Sequence, residues 1–206
     1  MTDSYETLAA RYDKAAPRWW QTLERLSYPQ AFRDLIAETL PADMSNAKIL
    51  DAGTGCGDFA LALLESHQPA SLDLLDISAD MLATASIRIQ QHLTPNLLLQ
   101  PLEDLAPNQY DLILSAHVIE HCPDPLKALL TLRHALKPGG RLLLTVSKPH
   151  FCTILLQILW RHRAFRPAKV AQVLSDAGFR DITIHPFSTG VPARLSCGYL
   201  ATTQGS

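Results

Sequence analysis

The sequence predicts an α/β fold: a mostly parallel sheet finished by an antiparallel hairpin, with helices on both faces. Three observations carry that prediction. Short apolar runs alternate with segments of helical period from residue 48 to residue 147, the pattern of strands buried on both faces. The first of these runs opens into a glycine-rich turn, "GTGCG", before a helical segment. Near the end, "DITIHPF" and "SCGYLATT" are separated only by "STGVPARL", which is too short for a helical crossover and so joins antiparallel strands.

Residues 5–26, "YETLAARYDKAAPRWWQTLERL", read as helical. Lys48–Ala52 is the first strand and Phe59–Leu64 the helix after the glycine turn. Ser71–Ile77 is the second strand, followed by a helix from Asp80 with Ser78 as its N-cap. Asn96–Leu99 is the third strand and Asp111–Ser115 the fourth. A helix from Pro125 to Leu136 is stopped by Lys137-Pro138-Gly139-Gly140, and Arg141–Ser147 is the fifth strand. A helix from Pro167 to Ala177, closed by Gly178, leads to the hairpin, making seven strands in all.

Composition narrows the function classes. A chain of 206 residues with 47% hydrophobic and 18% charged residues suits one globular domain over residues 1–206. A formal net charge of −2 gives no electrostatic footprint for nucleic acid. No run approaches the roughly 18 apolar residues of a membrane span, and the N-terminus lacks the apolar core of a signal peptide. Four scattered cysteines without a C-x-x-C pair suit a reducing cytoplasm rather than a disulfide framework. The oligomeric state is not readable from these features.

The most informative stretch is "ILDAGTGCGDFA", which sets Asp51, Gly53, Gly55 and Gly57 on a strand-to-helix turn. Glycines suit a backbone that needs positive φ or approaches a ligand closely. A dinucleotide loop, G-x-G-x-x-G, would need its third glycine where the chain has Asp58, whose carboxylate would repel a pyrophosphate. The acid ahead of the loop suits a ligand with positive charge. An NAD(P)-linked oxidoreductase is therefore a lesser alternative.

With Asp51-x-Gly53-x-Gly55-x-Gly57, the chain resembles the class I S-adenosylmethionine (SAM)-dependent methyltransferases, from about residue 47 to the end. The resemblance implies a Rossmann-like seven-stranded sheet and SAM as cofactor, with S-adenosylhomocysteine (SAH) as its product. It divides the chain into an N-terminal helical lid (1–46), a SAM-binding core (47–147), an acceptor-side insert (148–166) and a C-terminal helix and hairpin (167–206). Cofactor contacts are implied for Asp51, Gly53, Thr54, Gly55 and Gly57, where the acid and loop backbone receive the methionyl ammonium and carboxylate. "LDIS" followed by Met81-Leu82 resembles the second motif, so Asp76 is implied to take the ribose hydroxyls, with Ile77 and Met81 beside it. Relatives often read G-D-A-E-D-L-P in the third motif. Pro101 stands here where the adenine-contacting acid should be, which leaves Leu102 and Glu103 for that contact. "YDLILSAHVIEHCPDP" resembles the fourth motif and adds Ser115 and Ala116.

Within that motif lies His117-Val118-Ile119-Glu120-His121, an H-x-x-E-H string that is also a zinc signature of inverted zincins. A strand precedes it here, where a zincin needs a helix, so the peptidase reading is set aside. The string falls instead at the C-terminal edge of the sheet, where α/β folds bind ligands. Quinone-biosynthesis O-methyltransferases carry E-x-x-E-H at this place, a cluster associated with a divalent metal, and His117 replaces the first Glu. The alternatives are a metal site of His117, Glu120 and His121, shifted toward transition ions and not favoured; a general base at His117 or His121; or a loop-shaping role.

Acceptor contacts are expected from two segments. Tyr12-Asp13 and Trp19-Trp20 resemble the lid of small-molecule methyltransferases, which makes Tyr12, Trp19 and Trp20 candidates. The insert "SKPHFCTILLQILWRHRAFRP" adds His150 and Arg161, and its apolar face with arginines would also suit contact with a membrane surface. The expectation is methyl transfer to a small, lipophilic acceptor, with a phenol or quinol hydroxyl favoured over other nucleophiles. The competing reading of another class is a SAM-binding regulatory or accessory protein without transferase activity.

Overall fold

Apolar side chains on both faces of the central strands commit this chain to a sheet sandwiched between helices, and the computed structural model, which describes residues 5–150 and 163–205, shows that arrangement. Its strands are β1 (Lys48–Ala52), β2 (Ser71–Asp76), β3 (Asn96–Leu99), β4 (Tyr110–Ala116), β5 (Leu136–Ser147), β6 (Arg180–Pro186) and β7 (Ser196–Thr202). They form one sheet in the order β3-β2-β1-β4-β5-β7-β6. The first five are mutually parallel, and β7 runs antiparallel to both β5 and β6. The fold expected from the sequence is therefore present, hairpin included.

The helices are α1 (Tyr5–Arg25), α2 (Tyr28–Thr39), α3 (Asp58–Leu64), α4 (Ala79–Ile89), α5 (Pro125–Ala135), α6 (Pro167–Asp176) and α7 (Gly190–Leu195). Successive strand residues point to opposite faces, so one strand feeds two cores. Leu50 and Ile113 pack with Leu129 and Leu132 of α5 and Leu174 of α6. Ile49 and Leu112 pack on the other side with Phe32 and Ile36 of α2, Phe59 of α3 and Ile89 of α4. Ser78 caps α4 by accepting from the Met81 amide (3.1 Å), and Asp124 caps α5 by accepting from Leu126 (2.9 Å).

Three local features refine the sequence reading. The helical N-terminal region breaks into two helices at Ser27, which has φ +64°, and Pro29 stands in the first turn of α2. The short link between β6 and β7 holds the single-turn helix α7 without disturbing their antiparallel pairing. Pairing with β4 begins at Leu136 and resumes at Arg141, so Lys137–Gly140 loop out of the ladder around Pro138, which has no N–H to donate.

Strand order reverses between β1 and β4, since β2 and β3 lie to one side and β5 to the other. The carboxyl ends of strands flanking such a switch point diverge and leave a crevice. The residues that border the crevice sit at that edge or on the helices that cover it. Arg161, expected at the acceptor, and most of its insert (151–162) lie outside the described residues.

Candidate active site

A cavity of about 290 Å³ opens at the switch point. Its floor is the glycine turn after β1, the end of β2 and the loop after β4; its roof is α1 and α2.

The floor is set by backbone geometry. Gly53 and Thr54 both donate their amides to the Leu75 carbonyl (2.8 and 2.9 Å), tying the turn to the end of β2. Gly53 has φ +70°, and a Cβ there would lie 2.2 Å from Val118 Cγ2, so only glycine lets the two loops touch. Gly55 (φ +53°) donates to Asp76 Oδ2 (2.9 Å) and borders the cavity, with no heavy atom within 4 Å of where a Cβ would stand. Gly57 serves packing instead: its missing Cβ leaves room for Ile89 and Ala85 of α4.

Two buried carboxylates border this floor. Asp51 Oδ2 accepts from Thr54 Oγ1 (2.8 Å) and weakly from the Ala60 amide (3.3 Å). Burial pushes its carboxyl up to about 7, the two hydrogen bonds oppose the shift, and the charges of Asp76 and Asp58 add to it. Asp76 accepts from the amides of Ser78 (3.0 Å) and Gly55 (2.9 Å); burial raises it against those bonds. Asp58 also borders the cavity and pairs with Arg88 (2.9 Å). Three acids at one end suit a ligand that brings a positive charge and hydroxyl donors, and they would repel a diphosphate. SAM fits on both counts: a cationic ammonium and sulfonium match the acids, and a ribose diol matches Asp76.

The other end is built from side chains. His117 has φ +58°, uncommon for a non-glycine residue. Its amide donates to the Thr145 carbonyl (2.9 Å). Its Nδ1 lies 3.0 Å from Ser147 Oγ and 3.2 Å from Glu120 Oε1. Glu120, 1% exposed, also accepts from the Ser147 amide (2.7 Å), so it clamps the loop to the end of β5. Tyr28 of α2 stands perpendicular to the His117 ring at 5.4 Å, with its hydroxyl 2.7 Å from Ser196 Oγ. His121 turns the other way, its Nε2 3.0 Å from the Tyr12 hydroxyl. Burial, then the charges of Asp76 and Glu120, raise the Tyr12 phenol well above its usual range. Among the described residues no three His, Cys, Asp or Glu side chains converge as metal ligands.

The expected residues divide accordingly. Asp51, Gly53, Thr54, Gly55, Asp76, Ile77, Leu102, Ala116, His117, His121, Tyr12 and Trp19 border the cavity. Gly57, Met81, Glu103, Ser115, Trp20 and His150 do not. Met81 is buried beneath the glycine turn, its sulfur 3.4 Å from Cys56 Sγ, in a cluster that Trp20 also packs against. Ser115 donates to the Ala52 carbonyl (3.1 Å) and braces β4 on β1. Glu103 is exposed on a single 3-10 turn, Leu102–Asp104, whose Leu102 faces inward.

Sequence reasoning passed over Tyr28, Phe32, Val118, Cys122, Ser147 and Leu195, all of which border the cavity. Ser147 had a usable signal, as the last residue of an apolar strand at the ligand-binding edge. Tyr28 had a weaker one, the Pro29 that starts α2.

Comparison with known proteins bears on the family and the fold. The model of the methyltransferase-domain family matches residues 20–184. The ubiquinone biosynthesis O-methyltransferase of Xylella fastidiosa (strain 9a5c) is 28% identical over 163 residues, 70% of this chain and 65% of the relative. The protein of the same name from Xanthomonas euvesicatoria pv. vesicatoria is 23% identical over 190 residues, 82% of this chain and 79% of its own. The chain thus spans just under two thirds of the first of these curated relatives. Among solved structures, magnesium protoporphyrin IX methyltransferase from Synechocystis PCC 6803 with bound SAH superposes at a TM-score of 0.77, with 20% identity over 98% of this chain and 100% of that one. A SAM-dependent methyltransferase from Thermotoga maritima superposes at 0.74, with 18% identity over 96% and 100%. At such identities these structures establish the fold.

Proposed function

Since this chain belongs to the methyltransferase-domain family, with the class I SAM-dependent fold, we propose that it methylates a hydroxyl of a small, lipophilic phenol or quinol. The observation that carries this reading is a continuous cavity with two unlike ends. The acidic glycine-turn end matches the cofactor. The other end is walled by Leu8, Leu23, Leu26, Phe32 and Leu195, with His117 and Ser147 as polar points, and no Lys or Arg of the described residues borders it. A neutral apolar acceptor is favoured there, since the described residues offer an anionic one no counter-charge.

The cofactor supplies the activated methyl and its own leaving group, so the chain's task is orientation and exclusion of water. Asp51 and the glycine turn would hold the amino-acid end and Asp76 the ribose. Leu102 and Ile77 would line the base. Two adjacent residues of α1 fasten the roof to the floor: Tyr12 to His121, and Asp13 to Ser78. No helix of the described residues is long and apolar enough to cross a membrane. Cys56, Cys122 and Cys197 are free thiols, which supports a reducing, cytoplasmic setting as part of this reading.

The test is a transfer assay with labelled SAM against matched sets of phenols, quinols, amines and thiols, with and without added divalent metal. Label entering a lipophilic phenol or quinol supports the proposal. Label entering only amines or thiols overturns the acceptor, and no transfer to any set overturns the activity.

A further inference from the structure

His117 borders the cavity, yet its Nε2 is buried and makes no hydrogen bond within the described residues. A buried nitrogen left bare at a ligand cavity needs an explanation, and a ligand group that donates to it supplies one. The other nitrogen is fully engaged. Nδ1 faces Glu120 Oε1 at 3.2 Å and Ser147 Oγ at 3.0 Å. A carboxylate can only accept, so the proton sits on Nδ1 and Nε2 carries the lone pair. Glu120 is itself fixed by the Ser147 amide at 2.7 Å, and Tyr28 stands against the ring. The strained φ of +58° at His117 is held by these contacts. His121 already engages its Nε2 with the Tyr12 hydroxyl.

We propose that His117 Nε2 takes the acceptor's hydroxyl proton during methyl transfer, and that Glu120 is the positioning residue that keeps the ring in its Nδ1-protonated form. The inference rests on the methyl-transfer reading above. The acceptor oxygen forms the O–CH3 bond with its lone pair while the C–S bond breaks and its electron pair stays on sulfur. The hydroxyl proton moves to Nε2; the imidazolium, steadied by the Glu120 carboxylate, returns the proton to water after product leaves. The carboxylate that could have served a metal is thereby committed to orienting a base.

The experiment uses two phenols of matched size, one neutral at the assay pH and one already ionised through electron-withdrawing substituents. His117→Gln is expected to lower kcat about 100-fold for the neutral phenol and less than about threefold for the ionised one, with SAH affinity unchanged. Glu120→Gln is expected to lower kcat for the neutral phenol about tenfold with KM unchanged. The 15N resonances of the His117 ring should report one tautomer in the native protein and a mixture in Glu120→Gln. SAH binding checks that each variant is folded. Equal losses on both phenols, or native activity abolished by a chelator and restored by a divalent metal, overturn the inference alone. SAH binding with no transfer to either phenol overturns the methyl-transfer reading, and the inference with it.

Discussion

The two ends of the cavity are built by opposite means. At the cofactor end, three glycines at positive φ and amides pointed at Leu75 and Asp76 fix the shape through the backbone, within one βα turn and the end of a neighbouring strand. At the histidine end, proposed for the acceptor, four elements each lend side chains: Tyr12 from α1, Tyr28 from α2, His117 and Glu120 from the loop after β4, and Ser147 from the end of β5. A site made by backbone keeps its shape through side-chain change elsewhere. A site made by distant side chains can change its acceptor by single substitutions, which is how one fold serves many reactions.

The sharpest way to break this contrast is Gly53→Ala, because Gly53 is where the ends touch. The added Cβ would meet Val118 at 2.2 Å from a left-handed backbone, so both loops must move. A loss of about 3 kcal/mol in stability and a fall of more than about 100-fold in SAH affinity are expected, read by thermal melting and calorimetry. Retention of native affinity would show that the loops are not interlocked.

His117→Ala comes next and should separate the ends. A kcat lower by about 100-fold or more, with SAH affinity within about twofold of native, is expected from transfer kinetics and calorimetry together. Parallel losses in both would join the ends functionally.

Asp51 gives a smaller effect with a defined sign. Its folded carboxyl stands near 7, above the value of about 4 in an unfolded chain. Between those values the folded state binds more protons than the unfolded one, so this group's contribution to stability is present at low pH and declines as pH rises from about 4 to 7. A cationic ligand favours the ionised form, so cofactor affinity should rise by up to about tenfold per pH unit below 7 and level above it. Calorimetry across pH should show the slope in the native protein and its loss in Asp51→Asn.

Ser115→Ala sharpens the comparison from the other side. Ser115 braces β4 on β1 outside the cavity. About 1 kcal/mol of stability should be lost on denaturant unfolding, with SAH affinity and kcat within about threefold of native.

The same contrast explains what the sequence could reveal. The strands and the glycine turn follow from period-two and period-3.6 patterns and from glycine's freedom, all local signals. The antiparallel hairpin followed from counting the short link between its strands. Met81 and Ser115 sit beside motif residues, but the cap at Ser78 turns Met81 into the core and the pleat turns Ser115 onto β1. Ser147 and Tyr28 carried a local signal of position alone; their meeting with His117 spans 30 and 89 residues of chain, and no local pattern encodes it.

The central claim is that the acids and glycine turn at the switch point hold the cofactor. Isothermal calorimetry of SAH with the native protein and Asp76→Ala tests it most directly. One site of micromolar affinity, weakened by about 100-fold or lost in the variant, is the expected result. No binding to the native protein, or equal binding to both, would contradict the account.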